Sequence, residues 1–177
     1  ISALLRSSRS LYDELIRDED IDCDWQTKGL LFVFRSPRAM EHHAEVDHLL
    51  RERFDMPARR LDPADLYALE PSVRPGLPGA WLYEHDAHLR PDRLMAELRR
   101  VLTGLGVTIH EHRAATGFVR AGGRAVAVRT AAGDVPADDV VVALGAWTPA
   151  LEREIGCRIP IQPGKGYSVT YRDVEAP

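Results

Sequence analysis

The stretch Val140-Val141-Val142-Ala143-Leu144-Gly145-Ala146-Trp147-Thr148-Pro149 decides how the rest of the chain is read. Its unbroken apolar run, residues 140–144, has the pattern of a strand buried on both faces, as in a sheet covered by helices. Gly145 and Ala146 then remove side-chain bulk where that strand ends, and Thr148-Pro149 carries helix-start chemistry. In open α/β sheets, ligands sit beyond the carboxyl ends of strands. Small residues at such a corner let a bulky cofactor approach bare main chain. A helix opening near Pro149 presents free backbone N–H groups to an anion. The same pattern also suits an ordinary strand-to-helix turn with Trp147 as core filler, and local sequence leaves both readings open.

Working outward, Pro91 opens a helix with Leu94, Leu98, Val101, Leu102 and Leu105 on one face, stopped by Gly104 and Gly106. Val107-Thr108-Ile109 reads as a strand after it. Gly122-Gly123 and Gly133 punctuate a meander of three strands, over residues 115–119, 125–130 and 134–137. Gly156 closes the helix begun at Thr148-Pro149, and residues 159–163 and 167–171 read as strands around Gly164-Lys165-Gly166. This alternation from Pro91 onward predicts an α/β element with a small antiparallel meander inserted.

Residues 1–88 read as a separate α+β layer. Leu4, Leu5, Ser8, Leu11, Tyr12, Leu15 and Ile16 recur at helical spacing and predict a helix over residues 2–17 with that face buried. A strand is expected over residues 25–35, broken at Gly29. Ser36-Pro37 caps a helix running to about Phe54, with Val46, Leu50 and Phe54 inward, and Asp62-Pro63 starts a shorter one. Residues 71–79, rich in Pro and Gly, form a loop, and Trp81-Leu82-Tyr83 a short strand.

Composition narrows the function. The chain has 177 residues, 45% hydrophobic and 28% charged, which suits a globular protein with a core and excludes disorder or a collagen-like repeat. The net charge of −4, from 23 basic and 27 acidic residues, offers no basic stripe, so nucleic acid is not an expected partner. The longest apolar stretch, residues 140–147, falls far short of the roughly 20 residues of a transmembrane helix. Cys23 and Cys157 form no CxxC and read as reduced thiols. No GxGxxG follows a strand, and Gly164-Lys165-Gly166 lacks the earlier glycine of a phosphate-binding loop, Ile159 standing in its place. Among the seven histidines, His85 with His88 and His110 with His112 lack diagnostic metal spacing, while His42, His43 and His48 fall on a charged helix. No metal site is expected. Glu84 and Asp86 alternate along an extended segment and read as a polar rim. A chain that begins at Ile1, without a signal peptide, and stops at Pro177 after a strand-like run reads as an internal piece of a longer protein.

The order of segments is itself informative. Asp86-Ala87-His88-Leu89-Arg90-Pro91, the helix to Leu105-Gly106-Val107, the meander, and Ala137-Asp138-Asp139 leading into the Val140 run resemble the flavoenzyme family of D-amino acid dehydrogenases, glycine oxidase and sarcosine oxidase. Pro160-Ile161-Gln162-Pro163-Gly164-Lys165-Gly166-Tyr167-Ser168 is similar to that family's Pro-x-Lys-Gly segment, and its Lys-Gly-Tyr-Ser form leans toward the D-amino acid dehydrogenases. The resemblance implies part of a two-domain flavoprotein. Residues 1–88 would belong to a substrate-binding domain with a mixed or antiparallel sheet. Residues 89–150 would form part of a Rossmann-like FAD-binding domain with a β-meander, and residues 151–177 would return to the substrate domain.

It also implies FAD as cofactor and an amino acid as substrate, oxidised at its CH–NH bond by hydride transfer to the flavin, giving an imine and then a keto acid and ammonia. By this likeness Ala115 falls on the adenine side of FAD. Ala143, Gly145, Ala146 and Trp147 fall beside the pyrophosphate and flavin, Lys165 and Gly166 at the flavin edge, and Tyr167 toward the substrate. No catalytic residue is assigned. Ala115 stands where the family more often has Val. The family's strand–GxGxxG–helix would lie upstream of Ile1, and its substrate-carboxylate clamp beyond Tyr171. The expectation is therefore a parent that oxidises amino acids and a piece that neither retains FAD nor turns over. The parent is expected in the cytoplasm, with docking on the inner face of the cell membrane left open, as is its electron acceptor. Exposed strand edges predict that the piece dimerises or aggregates. Two other readings are a non-catalytic interaction module of an α/β protein and a metal-dependent hydrolase built on the histidine pairs.

Overall fold

Three short antiparallel strands hold the centre of the first of two units in the computed structural model, which describes residues 2–167. This unit spans residues 2–108. β1 (Leu30–Val33) and β2 (Arg59–Leu61) flank β3 (Ala80–Tyr83), with Phe32 opposite Trp81 and Leu61 opposite Ala80. All four β3 residues are buried, as a central strand covered on both faces requires. Because side chains alternate along a strand, Ala80 and Leu82 join Leu61, Leu66 and Leu77 in one cluster, while Trp81 and Tyr83 join Met40 and Ala58 in another.

The helices beside this sheet begin where their caps dictate. α1 (Ser2–Asp18) precedes β1. α2 (Pro37–Phe54) starts at Ser36, whose hydroxyl accepts from the Ala39 N–H at 3.3 Å, and α3 (Pro63–Leu69) at Asp62, whose carboxylate accepts from the Asp65 N–H at 2.9 Å. The inward face of α2 differs from the expected one. Leu50 leans on the core, but Val46 and Phe54 are exposed, while Met40 and Asp47 are buried. The cause is polar: Asp47 accepts from the buried Ala58 N–H at 2.7 Å and from Arg51 at 3.2 Å, so that side of the helix must face the chain entering β2.

α1 and α4 (Pro91–Gly104) share a third cluster, in which Ile16, Leu98 and Val101 pack on Ile21, Cys23 and Leu94. Here too the expected faces change. Leu4 and Leu11 are 72% and 60% exposed, Leu5 and Leu105 are also largely exposed, and Leu102 is partly so. α1 instead meets the unit through Arg9, Tyr12 and Ile16: Tyr12 stacks on Trp25 at 5.9 Å and the Arg9 guanidinium lies 4.7 Å from the same ring system. Residues 25–29 make no continuous strand. Gln26 pairs with His88 as an isolated bridge, and Gly29, at φ +86, passes so close to Tyr83 that a Cβ would stand 2.7 Å from its carbonyl oxygen. Val107-Thr108-Ile109 is not a strand either, because the Val107 N–H is committed to Leu102 in the turn that ends α4.

The second unit, described over residues 109–167, is built on the meander β4 (Ala115–Ala121), β5 (Arg124–Thr130) and β6 (Gly133–Pro136). Gly122 and Gly123, both at positive φ, make the two-residue turn whose twist matches its strands. Phe118, Ala127 and Leu151 are its buried apolar residues. The run at residues 140–144 overturns the expectation of a doubly buried strand: it joins no ladder among the described residues, and Val141 is 89% exposed. A strand of that kind needs a neighbour on each edge, and the described residues supply none. The chain then winds into a 3-10 helix, Gly145–Leu151, and on into α5 (Glu152–Ile155), ended by left-handed Gly156. Residues 159–163 join no ladder, and most of the expected strand at 167–171 lies outside the described residues. Among the described residues no helix is long and apolar enough to cross a membrane.

Candidate functional site

The corner after Leu144 is open. Gly145 has φ +52, a conformation that favours glycine, and a Cβ placed there would meet no atom within 4 Å. Ala143 and Ala146 are exposed, and Trp147 is 77% exposed rather than filling a core. A flat ring and a diphosphate would find accessible main chain here, so the residues present fit such a group. The anion site expected near Pro149 is not built as the sequence suggested. Helical turns begin at Gly145, and the Trp147 N–H is already donated to Leu144 at 3.1 Å.

Ala115 lies at the start of β4, opposite Thr130, and the register shifts between Ala115 and Gly117. That irregularity is braced from α5. Glu154 Oε2 accepts from the Phe118 N–H at 3.4 Å, and Arg120 donates to the Glu154 main-chain oxygen. Gly117 is buried, and a Cβ on it would stand 2.9 Å from the same Oε2. Glu152 Oε1 accepts from the Ile159 N–H at 2.9 Å. The structure thus ties the Ala115 strand to the helix that continues from Gly145, Ala146 and Trp147. The sequence reading missed Glu154, Arg120 and Gly117. An isolated glycine inside a strand pattern signals a close approach, and Gly117 was that signal.

Lys165, Gly166 and Tyr167 are exposed, with Lys165 Nζ 5.2 Å from the Tyr167 ring centre. Among the described residues they make no hydrogen bond to the Ala115 or Gly145 segments. No three histidine, cysteine or acidic side chains among the described residues converge as metal ligands. Glu84 is engaged with Arg59 at 2.9 Å. An open groove beside β5 and β6, lined by Arg124, Val126, Pro136 and Asp138 among others, contains none of the candidate residues.

One polar pair in the first unit is chemically distinct. His43 Nε2 lies 3.0 Å from the Tyr83 hydroxyl, with Phe32, Phe34 and Trp81 around the imidazole. Burial pulls the His43 pKa below its usual 6.5, against the opposing charge of Asp47, and raises that of Tyr83. A neutral imidazole accepting from the Tyr83 O–H suits this setting.

The profile of the family described as FAD dependent oxidoreductase matches residues 1–177. The D-amino acid dehydrogenase of Methylobacterium radiotolerans is 36% identical over 177 residues, covering 94% of this chain and 41% of the relative. The glycine oxidase of Pseudomonas putida is 30% identical over 180 residues, covering 99% and 48%. The chain spans less than half the length of these curated relatives. Among solved structures, glycine oxidase from Bacillus cereus superposes with a TM-score of 0.77 at 20% identity, covering 85% of this chain and 42% of that one. L-amino acid deaminase from Proteus myxofaciens gives 0.69 at 23%, covering 85% and 34%. At these identities the structural likeness speaks to the fold.

Proposed function

The chain belongs to the family of FAD-dependent oxidoreductases, and from that membership we propose that the whole protein oxidises an amino acid at its CH–NH bond. Bound FAD would supply the acceptor for the substrate's Cα hydrogen, leaving as hydride, and hydrolysis of the resulting imine would yield a keto acid and ammonia. The observation that carries the reading is the open corner at Gly145, where the main chain is free of side-chain cover in a chain that the family profile matches from end to end.

In this proposal Gly145, Ala143 and Ala146 leave room for the pyrophosphate and the ring system, and exposed Trp147 adds an aromatic face beside them. Main-chain groups of Ala115 hold the adenine side. Lys165 supplies a positive charge that favours electron density gathering at the flavin edge, with Gly166 allowing close approach and Tyr167 turned to the substrate. The relatives' names, D-amino acid dehydrogenase and glycine oxidase, support an amino acid as the substrate class.

The test is to express the full-length protein, record its visible spectrum, and add D-amino acids or glycine without oxygen. A yellow protein that bleaches on addition supports the reading; a folded, colourless protein overturns it. We further propose that the 177-residue chain by itself does not retain FAD and self-associates through its outer strands. Sedimentation at rising concentration checks the second point, and a monomer throughout counts against it.

A further inference from the structure

We infer that Glu154 is a positioning residue for the cofactor, fixing the separation between the Ala115 segment and the Gly145–Trp147 corner. The inference rests on the FAD-dependent reading above and concerns a side chain that reading does not use. Ala115 and Gly145 are remote in sequence, and each sits in locally irregular backbone: one beside the register shift of β4, the other opening a 3-10 helix. Among the described residues no strand-to-strand ladder joins the two elements and sets their distance.

The joint between them is made by α5 in both chemical senses. A β4 main-chain N–H, that of Phe118, donates to the Glu154 side chain, and a β4 side chain, that of Arg120, donates to the Glu154 main chain. Gly117 is what makes the joint close. A Cβ there would stand 2.9 Å from Oε2 and 3.1 Å from the carboxyl carbon, so glycine leaves the carboxylate its seat. Since α5 continues directly from the 3-10 helix, a shift at Glu154 is carried to residues 145–147. Glu152, two residues earlier, holds the Ile159 N–H and so anchors the segment that leads on to Lys165.

The experiment uses the full-length protein, stripped of FAD and titrated with FAD by flavin fluorescence, alongside thermal unfolding of each apoprotein. Glu154→Ala removes the acceptor, Gly117→Ala displaces it, and Glu154→Gln retains an acceptor oxygen. The expected result is FAD binding weakened about tenfold by Glu154→Ala and Gly117→Ala, because the loosened corner must then be ordered at the moment of binding. Glu154→Gln returns binding to near the wild-type value. Both alanine variants melt lower, because each disturbs an internal hydrogen bond, and Ala127→Gly, a destabilised control at a buried β5 position, melts lower without losing affinity. Wild-type affinity in both alanine variants overturns the inference, as does Glu154→Gln binding no better than Glu154→Ala. So does a loss of affinity in the Ala127→Gly control equal to that of the alanine variants. If Glu154→Ala does not fold, Gly117→Ala and Glu154→Gln carry the decision by the same criteria. A wild-type protein that binds no FAD fails the family-based function and takes this inference with it. A wild-type protein that binds FAD beside unaffected variants fails this inference alone.

Discussion

Asp47 shows how far one side chain sets the arrangement of the first unit. It is 5% exposed and holds the Ala58 N–H at 2.7 Å, next to an arginine that also bonds the Ala58 carbonyl. Removing the carboxylate strands a buried donor, which costs about 2 kcal/mol. Asp47→Ala is therefore expected to lower the urea midpoint of unfolding, with Asp47→Asn, which keeps an acceptor, falling between. His43 makes a second residue-scale prediction. Its folded pKa is depressed by burial, so its contribution is complete above its unfolded value of 6.5 and is lost as pH falls through the lower folded value. Stability should drop on going from about pH 7 to about pH 5, and His43→Gln, which cannot be protonated there, should flatten that drop. A slope unchanged by the substitution would show that the imidazole is not its source.

Among the elements, those announced by their own ends were legible beforehand. Ser36-Pro37 and Asp62-Pro63 fix α2 and α3 because cap and proline act within one turn, and Gly122-Gly123 fixes the hairpin because two positive φ angles are needed there. Asp62→Ala should destabilise the first unit by about 1 kcal/mol, read as a lower melting temperature, since it frees the Asp65 N–H at the start of α3. Helix faces were less legible. Periodicity marked an apolar stripe on α1, but which side meets the unit depends on Trp25, which lies beyond the end of that helix and reaches back to Tyr12 and Arg9. The run at residues 140–144 failed for a similar reason: a strand is a property of a pair, and one segment cannot state where its partner is. Within the candidate site the small residues at 143–146 were visible in sequence, whereas the brace from Glu154 joins positions 36 apart and was not.

For the molecule as a whole, burial is uneven. The first unit contains three clusters of buried side chains centred on β3 and on the α1–α4 contact. The described part of the second buries few apolar residues, Phe118, Ala127 and Leu151. Local opening is easiest where buried contacts are sparse, so amide hydrogen exchange should proceed faster across residues 109–167 than in β3, where all four residues are covered. Equal protection in both would mean that the second unit has support the described residues do not display.

The two sheets also differ in how far apart along the chain their strands lie, which bears on the tempo of acquisition. β4, β5 and β6 are successive hairpins closed by turns of a few residues, whereas β1 waits for β3 across the whole of α2 and α3. Hairpins zip in about 1–10 μs, and closing a longer loop costs chain entropy before any contact offsets it. In refolding from urea, the meander is thus expected to gather first and the β1–β3 register last, making that long-range pairing the slow step.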